Sequence, residues 1–301
     1  MILFRLMNFQ TITLKDEGYP SLLKEIANPP KQIYIRGMLP KAGTPAIAIV
    51  GTRKATTAGV GMAEEIAATL AGAGIVIVSG LAMGIDAAAH RGALSVGGKT
   101  VAVLGNGINE IYPAQNEKLA EGILEAGGAI ISEYPPGEPS FKQNFIHRNR
   151  IISGFSVAVV IVEAPAKSGS LTTAGFAAEQ GRSVFVLPGP VTHPNYVGSH
   201  ALIRDGAILA TKAEDVLEDL GLLQGIEGEE LGTRIDNFQI ELNDKENLIL
   251  RILKEAGRPL EVDRIVSLTK LEPQAINQAL TGLMLKGLTR ETNGKYEISY
   301  R

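Results

Sequence analysis

The stretch Ser168-Gly169-Ser170-Leu171-Thr172-Thr173-Ala174 carries the residue types best suited to holding an anion. It follows an apolar run, Val157 to Glu163, that reads as a buried strand, and it opens a helix predicted to reach about Gly181. A glycine between two serines at a strand-to-helix turn gathers backbone N–H groups, two hydroxyls and the positive end of a helix dipole. Lys167 adds a full charge just before it. Phosphate is the anion such a turn suits best. A Ser/Thr helix cap with no ligand accounts for the same residues equally well. Two similar turns earlier in the chain favour the ligand.

The first is Gly51-Thr52-Arg53-Lys54, after the apolar run Ala46 to Val50. Gly51 permits a sharp turn and a close approach. Arg53 can grip a phosphate through two hydrogen bonds, and Lys54 adds a point charge. The alternative is a pair of solvated surface cations. The second is Ser79-Gly80 with Gly84-Ile85-Asp86 and His90. Asp86 and His90 are four apart and share a helix face. They form either an acid–imidazole pair or, with no nucleophile in sight, an aspartate that anchors the loop and bonds His90; the second reading is preferred.

His147-Arg148-Asn149-Arg150 falls on a predicted helix, where Arg148 and Arg150 point about 200° apart. One therefore faces the rim and the other enters an ion pair. Tyr134, Phe141 and Phe145 lie near these cations and serve either as base-stacking faces or as core. Glu163 and Glu179 suit acid–base work or loop anchoring. The dinucleotide pattern G-x-G-x-x-G does not follow the first strand, since Gly59-Val60-Gly61 falls inside a helix, and G-x-x-x-x-G-K-[ST] occurs nowhere. His90, His147, His193 and His200 show no metal-ligand spacing and there is no cysteine. Neither a metal nor a cofactor is expected.

The elements that must position these turns alternate strictly from Pro45. Predicted strands are Ala46–Val50, Ile75–Ser79, Thr100–Leu104, Ala129–Ser132, Val157–Glu163, Val184–Leu187 and Ala207–Ala210, with helices between. Near-continuous apolar strands imply an α/β fold with a mostly parallel sheet covered by helices on both faces. Right-handed crossovers then put the turns on one rim. Residues 1–43, broken by prolines, read as an N-terminal segment with a short strand at Ile33–Arg36. The main domain is 44–221 and the linker 222–243, rich in glycine and acids. Residues 244–301 show three helices (Lys245–Ala256, Val262–Leu268, Pro273–Lys286) and a hairpin, Leu288–Glu291 with Tyr296–Ser299, turned by Asn293-Gly294. That pattern suggests a small C-terminal winged-helix domain.

Length and composition agree. The chain has 301 residues, enough for one large α/β domain and a small one. It is 45% hydrophobic but only 5% aromatic, with 34 glycines, which suits a tightly packed parallel sheet. A net charge of -3 means that any nucleic-acid role rests on a local patch. No apolar run is long enough for a membrane span, Met1 to Met7 is too short for a signal peptide, and the lack of cysteine fits a cytoplasmic setting.

Taken together, the motifs resemble the DprA (Smf) family of DNA-processing proteins. The resemblance rests on Ile49-Val50-Gly51-Thr52-Arg53, Ser79-Gly80-Leu81-Ala82-Met83-Gly84-Ile85-Asp86 with His90, and Gly105-Asn106-Gly107 with Tyr112-Pro113. It continues through Ser132-Glu133-Tyr134-Pro135-Pro136-Gly137, Arg148-Asn149-Arg150-Ile151-Ile152, Ser168-Gly169-Ser170-Leu171 and Pro188-Gly189, and covers about Tyr19 to Leu220. It implies an extended Rossmann-like fold and a homodimer that binds single-stranded DNA. It also implies loading of the RecA recombinase onto that DNA, as in natural transformation, without catalysis.

The phosphate-binding set is then Gly51, Thr52, Arg53, Ser79, Gly80, Gly84, Arg148, Lys167, Ser168, Gly169, Ser170 and Leu171. Ile146 and Phe155 stand where the family pattern has proline and leucine, and the N-terminal helical domain of many members is missing. The third helix of the winged-helix region has one cation and no arginine, unlike a groove-reading helix. The competing reading is a Rossmann-like hydrolase that cleaves nucleoside monophosphates, using Glu179 and Asp86. A third makes the winged helix the sole DNA-binding part.

Overall fold

The computed structural model describes residues 9–222, 243–256, 259–285, 289–292 and 294–298. They fall into two compact units, one up to residue 222 and one from residue 243. The larger holds nine strands: β1 Gln10–Thr13, β2 Gln32–Gly37, β3 Ala46–Val50, β4 Val76–Ser79, β5 Thr100–Leu104, β6 Ala129–Ser132, β7 Ala158–Ile161, β8 Ser183–Val186 and β9 Ile208–Leu209. They form one sheet in the order β1-β2-β6-β5-β4-β3-β7-β8-β9. From β6 to β9 every neighbouring pair is parallel. In the centre, Ala48 of β3 lies between Val78 of β4 and Val159 of β7.

The near-continuous apolar strands are explained by cover on both faces. Ala46, Ala48 and Val50 point to one layer, with Ile151, Ile152, Ala174 and Ala177 of the helices Lys142–Gly154 and Gly169–Glu179. Ile47 and Ile49 point to the other, packed with Ile66, Leu70, Ala89 and Val216 of the helices Thr57–Gly72, Ile85–Ser95 and Ala213–Asp219. That period of two, with both sets buried, is the mark of a sheet sandwiched by helices. Burying an isoleucine such as Ile49 completely contributes about 1.5–3 kcal/mol. The mostly parallel, Rossmann-like architecture read from the sequence is the one observed.

The described residues before Thr44 contribute two strands, β1 and β2, to this sheet. β1 was not anticipated: its sequence, QTIT, is short and polar, as an edge strand allows. It runs antiparallel to β2, with Ile12 opposite Ile33, and β2 runs antiparallel to β6. The short helix Ser21–Lys24 adds Leu23 to the core beside Tyr19 and Ile26. The Tyr19 hydroxyl donates to the Pro30 carbonyl at 2.8 Å. At the other edge, the strand expected over Ala207–Ala210 is reduced to β9.

The smaller unit runs helix Asp244–Ala256, β10 Leu260–Glu261, helix Val262–Thr269, helix Pro273–Leu285, β11 Thr289–Thr292 and β12 Lys295–Ile298. Its strands are ordered β10-β12-β11, all antiparallel, around Ile249, Leu253, Ile265, Ile276, Leu280 and Leu283. That succession is the winged-helix one. β10, two residues long, escaped the sequence pattern. The 222–243 linker lies outside the described residues except at its two ends, as do Leu288, Asn293 and Ser299 of the expected hairpin.

Candidate nucleic-acid interface

The sheet order reverses at β3, with β4, β5 and β6 on one side and β7, β8 and β9 on the other. Loops leaving the carboxyl ends of β3 and β7 must therefore part, which is where open α/β sheets form ligand crevices. A cleft of about 610 Å³ opens there, lined by the turns after β3 and β7 and by the helix Lys142–Gly154.

The turn after β3 is held rigidly. Thr52 is buried; its N–H donates to the Glu163 carbonyl at 2.8 Å and its own carbonyl accepts from Ile85. The Thr52 hydroxyl accepts from the Lys54 N–H at 3.2 Å. Ile85 and the Glu163 backbone occupy the space beside Gly51, where a Cβ would not fit. Gly51, Thr52 and Arg53 of this turn line the cleft, and Arg53 is exposed and makes no hydrogen bond or ion pair among the described residues. Its guanidinium carbon lies 5.6 Å from the centre of the Phe145 ring. Lys54 does not line the cleft.

The turn after β4 does not supply ligand donors. Ser79 is fully buried and its hydroxyl donates to the Ile49 carbonyl at 2.6 Å, tying β4 to β3. The Gly80 N–H donates to Asp86 at 3.1 Å. Gly84, at φ +78, packs against the backbone of Thr52 and Arg53. Ser79, Gly80 and Gly84 are not among the residues lining the cleft. Asp86 anchors the loop, as preferred from the sequence, but His90 does not bond to it. The His90 ring pairs instead with the Thr100 hydroxyl at 2.7 Å, because that helix face points at β5.

Arg148 and Arg150 divide as their spacing requires. Arg150 pairs with Glu133 at 2.5 Å. Arg148, 4% exposed, forms part of the cleft wall and donates to the Gly80 carbonyl at 2.9 Å and to the Val103 carbonyl. Burial pulls its guanidinium down to about 10, against the opposing pull of Asp86, so it stays a cation at neutral pH. Burial likewise raises the Asp86 carboxyl, while Arg148 and the N–H groups of Ala82 and Gly80 hold it back.

At the turn after β7 the cap and the anion site coincide. Ser168 caps the helix, and its hydroxyl contacts the Ser170 hydroxyl at 2.7 Å and accepts from the Ser170 N–H. The Ser168 N–H is taken by the Pro165 carbonyl, which leaves the Gly169 N–H without a partner among the described residues. Ser168, Gly169, Ser170 and the exposed Lys167 all line the cleft; Leu171 turns inward to the core.

Sequence reasoning missed Lys142 and Tyr112, which line the cleft with Phe145. The Tyr112 and Phe145 rings lie 5.3 Å apart. The sequence marks Tyr112 only as part of a motif, and Lys142 only by its place in the first turn of the helix between Phe141 and Phe145. Among the described residues, the cleft thus gathers Arg53, Lys142, Arg148 and Lys167 against one carboxylate, Asp86. It is locally electropositive in a chain of net charge -3.

Glu163 and Glu179 do not enter the cleft. Glu163 is fully buried under four hydrogen bonds, from the Thr56 N–H and hydroxyl, Asn195 and the Tyr196 hydroxyl. Burial alone would raise its carboxyl, but these donors outweigh it and hold it below the ordinary range. No helix among the described residues is long and apolar enough to cross a membrane.

A family model described as DNA recombination-mediator protein A matches residues 10–221. The chain belongs to that family. Protein Smf of Escherichia coli (strain K12) is 46% identical over 213 residues, or 71% of this chain and 57% of that protein. The chain therefore spans little more than half of that relative's length. DNA processing protein DprA of Streptococcus pneumoniae is 41% identical over 211 residues, covering 70% of this chain and 74% of that protein.

The X-ray structure of the Streptococcus pneumoniae protein superposes with a TM-score of 0.66 at 40% identity, over 71% of this chain and 75% of that one. DNA processing protein A from Helicobacter pylori, whose structure is described as giving insight into its single-stranded DNA binding mode, matches with a TM-score of 0.64 at 31% identity. That match covers 71% of this chain and 95% of that one. The DprA (Smf) resemblance read from the motifs is thereby confirmed, and the extended Rossmann-like fold with it.

Proposed function

We propose that the cleft at the ends of β3 and β7 binds single-stranded DNA and that the protein is a non-catalytic recombination mediator. One observation carries this reading: four cations facing a single carboxylate at the switch point of the sheet, with Gly169 and two serines at a helix start beside them. The Helicobacter pylori relative described by its single-stranded DNA binding mode supports it. We further propose that the protein works in the cytoplasm as a homodimer, so that two clefts share one strand, and loads RecA onto that strand during DNA uptake and recombination. One cleft reaches few phosphates, and a second on the same strand adds avidity.

The hydrolase reading has less support. Asp86 lies in the cleft, whereas Glu179 ends the helix that starts at Gly169, about 15 Å along its axis. A groove-reading role for the winged helix fares no better, since Pro273–Leu285 contains no lysine or arginine.

A salt series of binding to single- and double-stranded oligonucleotides tests the proposal. Affinity falls with salt at a slope of about −0.7 per phosphate neutralised on a single strand. Arg53→Glu weakens binding without unfolding the protein; unchanged affinity at moderate salt would remove the cleft from the account. Deleting residues 244–301 leaves most of the binding intact, and monomeric variants bind long strands much more weakly. Free base released from a nucleotide by the purified protein would restore the hydrolase.

A further inference from the structure

Three features of the sequence play no part in the cleft: the Gly59-Val60-Gly61 pair inside a helix, the Pro188-Gly189 motif after β8, and the carboxylate of Glu163. Gly59 from the first and Gly189 from the second converge on the third. A Cβ on Gly59 would lie 2.3 Å from Glu163 Oε1, and one on Gly189 would lie 2.2 Å from the Tyr196 ring, whose hydroxyl donates to the same Oε1 at 3.1 Å. Both glycines make room for a single buried acid and its partners.

That acid grips the turn after β3 from beneath at alternate residues. The Glu163 carbonyl takes the Thr52 N–H at 2.8 Å. Its Oε2 takes the Thr56 N–H at 3.1 Å, and its Oε1 takes the Thr56 hydroxyl at 2.5 Å. Between them, Asn195 donates from one amide nitrogen both to Oε2 of Glu163 at 2.8 Å and to the Lys54 carbonyl at 3.0 Å. Thr52 is thus pinned by the main chain of Glu163, Thr56 by its carboxylate and Lys54 by Asn195, the partner of that carboxylate. Arg53, at the crest of the pinned turn, keeps its guanidinium free of hydrogen bonds among the described residues and within the cleft.

We propose that Glu163, with Asn195 as its arm, is the positioning residue that presents Arg53 to a phosphate of the bound strand. This rests on the cleft being the DNA site. A backbone fixed before binding leaves only the side chain to be ordered on contact, so the turn is preorganised. The carboxylate suits the task because it accepts only; every group around it is a donor, and two are hydroxyls that rotate to fit.

Asn195→Ala is the informative variant, because it cuts the arm and leaves the buried acid with its Thr56 and Tyr196 bonds. Binding to oligothymidylate is measured for the wild type, Asn195→Ala, Arg53→Ala and the double variant, across a salt series, with urea unfolding of each alongside. The expected result is an affinity loss of about tenfold for Asn195→Ala, a salt slope shallower by about 0.7, and no further loss when it is added to Arg53→Ala. A merely structural role would change the unfolding midpoint and leave the slope alone. Wild-type affinity in Asn195→Ala, or losses that simply add in the double variant, would overturn the positioning role while leaving the cleft in place. Wild-type affinity in Arg53→Ala would overturn both.

Discussion

The Arg148 guanidinium donates to the Gly80 carbonyl at 2.9 Å across 68 residues of chain. With its second bond, to Val103, it ties the ends of β4 and β5 together beneath the cleft, and Asp86 balances its charge. Arg53 is the opposite kind of cation, exposed and without a hydrogen bond or ion pair among the described residues. Replacing Arg148 with methionine strands two carbonyls and a buried carboxylate and costs about 3–5 kcal/mol. Arg53→Met changes stability by no more than about 0.5 kcal/mol. Urea unfolding of the two variants distinguishes them, and matching midpoints would mean that Arg148 is not part of the framework.

Tyr112 and Phe145 present a tilted aromatic pair beside these cations, with Tyr112 43% exposed. An unpaired base stacks on such a face at about 1–3 kcal/mol, with little dependence on which base it is. Tyr112→Ala therefore weakens oligonucleotide binding by that amount. Because stacking neutralises no phosphate, the salt slope stays where it was. A slope that changes with Tyr112 would assign it to the backbone instead.

His90 imposes a pH dependence on folding. The Thr100 hydroxyl already donates to the Ile77 carbonyl at 2.7 Å, so it accepts from Nδ1–H of His90, and Nε2 is left bare and buried. Burial, with the nearby Arg148 and Arg91 charges, pushes the ring down to about 3 from its ordinary 6.5. Below pH 6.5 the unfolded chain takes up a proton that the folded one refuses. The stability this neutral ring allows is complete above 6.5 and declines by about 1.4 kcal/mol per pH unit below it, towards pH 3. His90→Asn, which keeps a donor for Thr100, removes that decline. Urea unfolding at pH 7 and pH 5 should show a fall about 2 kcal/mol larger in the wild type than in the variant.

How far the chain could be read in advance follows from which signals are local. β3 to β8 announce themselves as apolar runs because both their faces are covered. β1 does not, since an edge strand of four half-polar residues has no pattern to show. At the site, Ser168, Gly169, Ser170, Arg53 and Lys167 sit where short-range turn chemistry puts them. Ser79, Gly80 and Gly84 share the same local signature but face inward, because Arg148 and the β3 turn fill the space that a ligand would need. Lys142 and Tyr112 come from segments 30 residues apart, and although Phe141 and Phe145 flank Lys142, no local pattern shows that it and Tyr112 meet at the cleft.

Gly84 decides where the β3 turn sits. Its φ of +78 lies in the left-handed half of backbone space, and a Cβ there would fall 2.4 Å from the Thr52 carbonyl oxygen and 2.8 Å from the Arg53 carbonyl. Both obstacles are main chain, so neither can rotate aside. Gly84→Ala must either distort the start of the helix Ile85–Ser95 or lift the Arg53 turn by about 1 Å, a shift large enough to misplace a contact group. Gly43 supplies the control: it has a similar φ of +83, but a Cβ there meets nothing within 4 Å. Each substitution carries a backbone strain of about 1–3 kcal/mol. Only Gly84→Ala should also weaken binding to single-stranded DNA. Calorimetric unfolding and oligonucleotide titration of the pair separate strain from displacement. If Gly84→Ala loses stability to the same extent as Gly43→Ala and binds as the wild type does, the β3 turn does not depend on Gly84 for its height over the cleft.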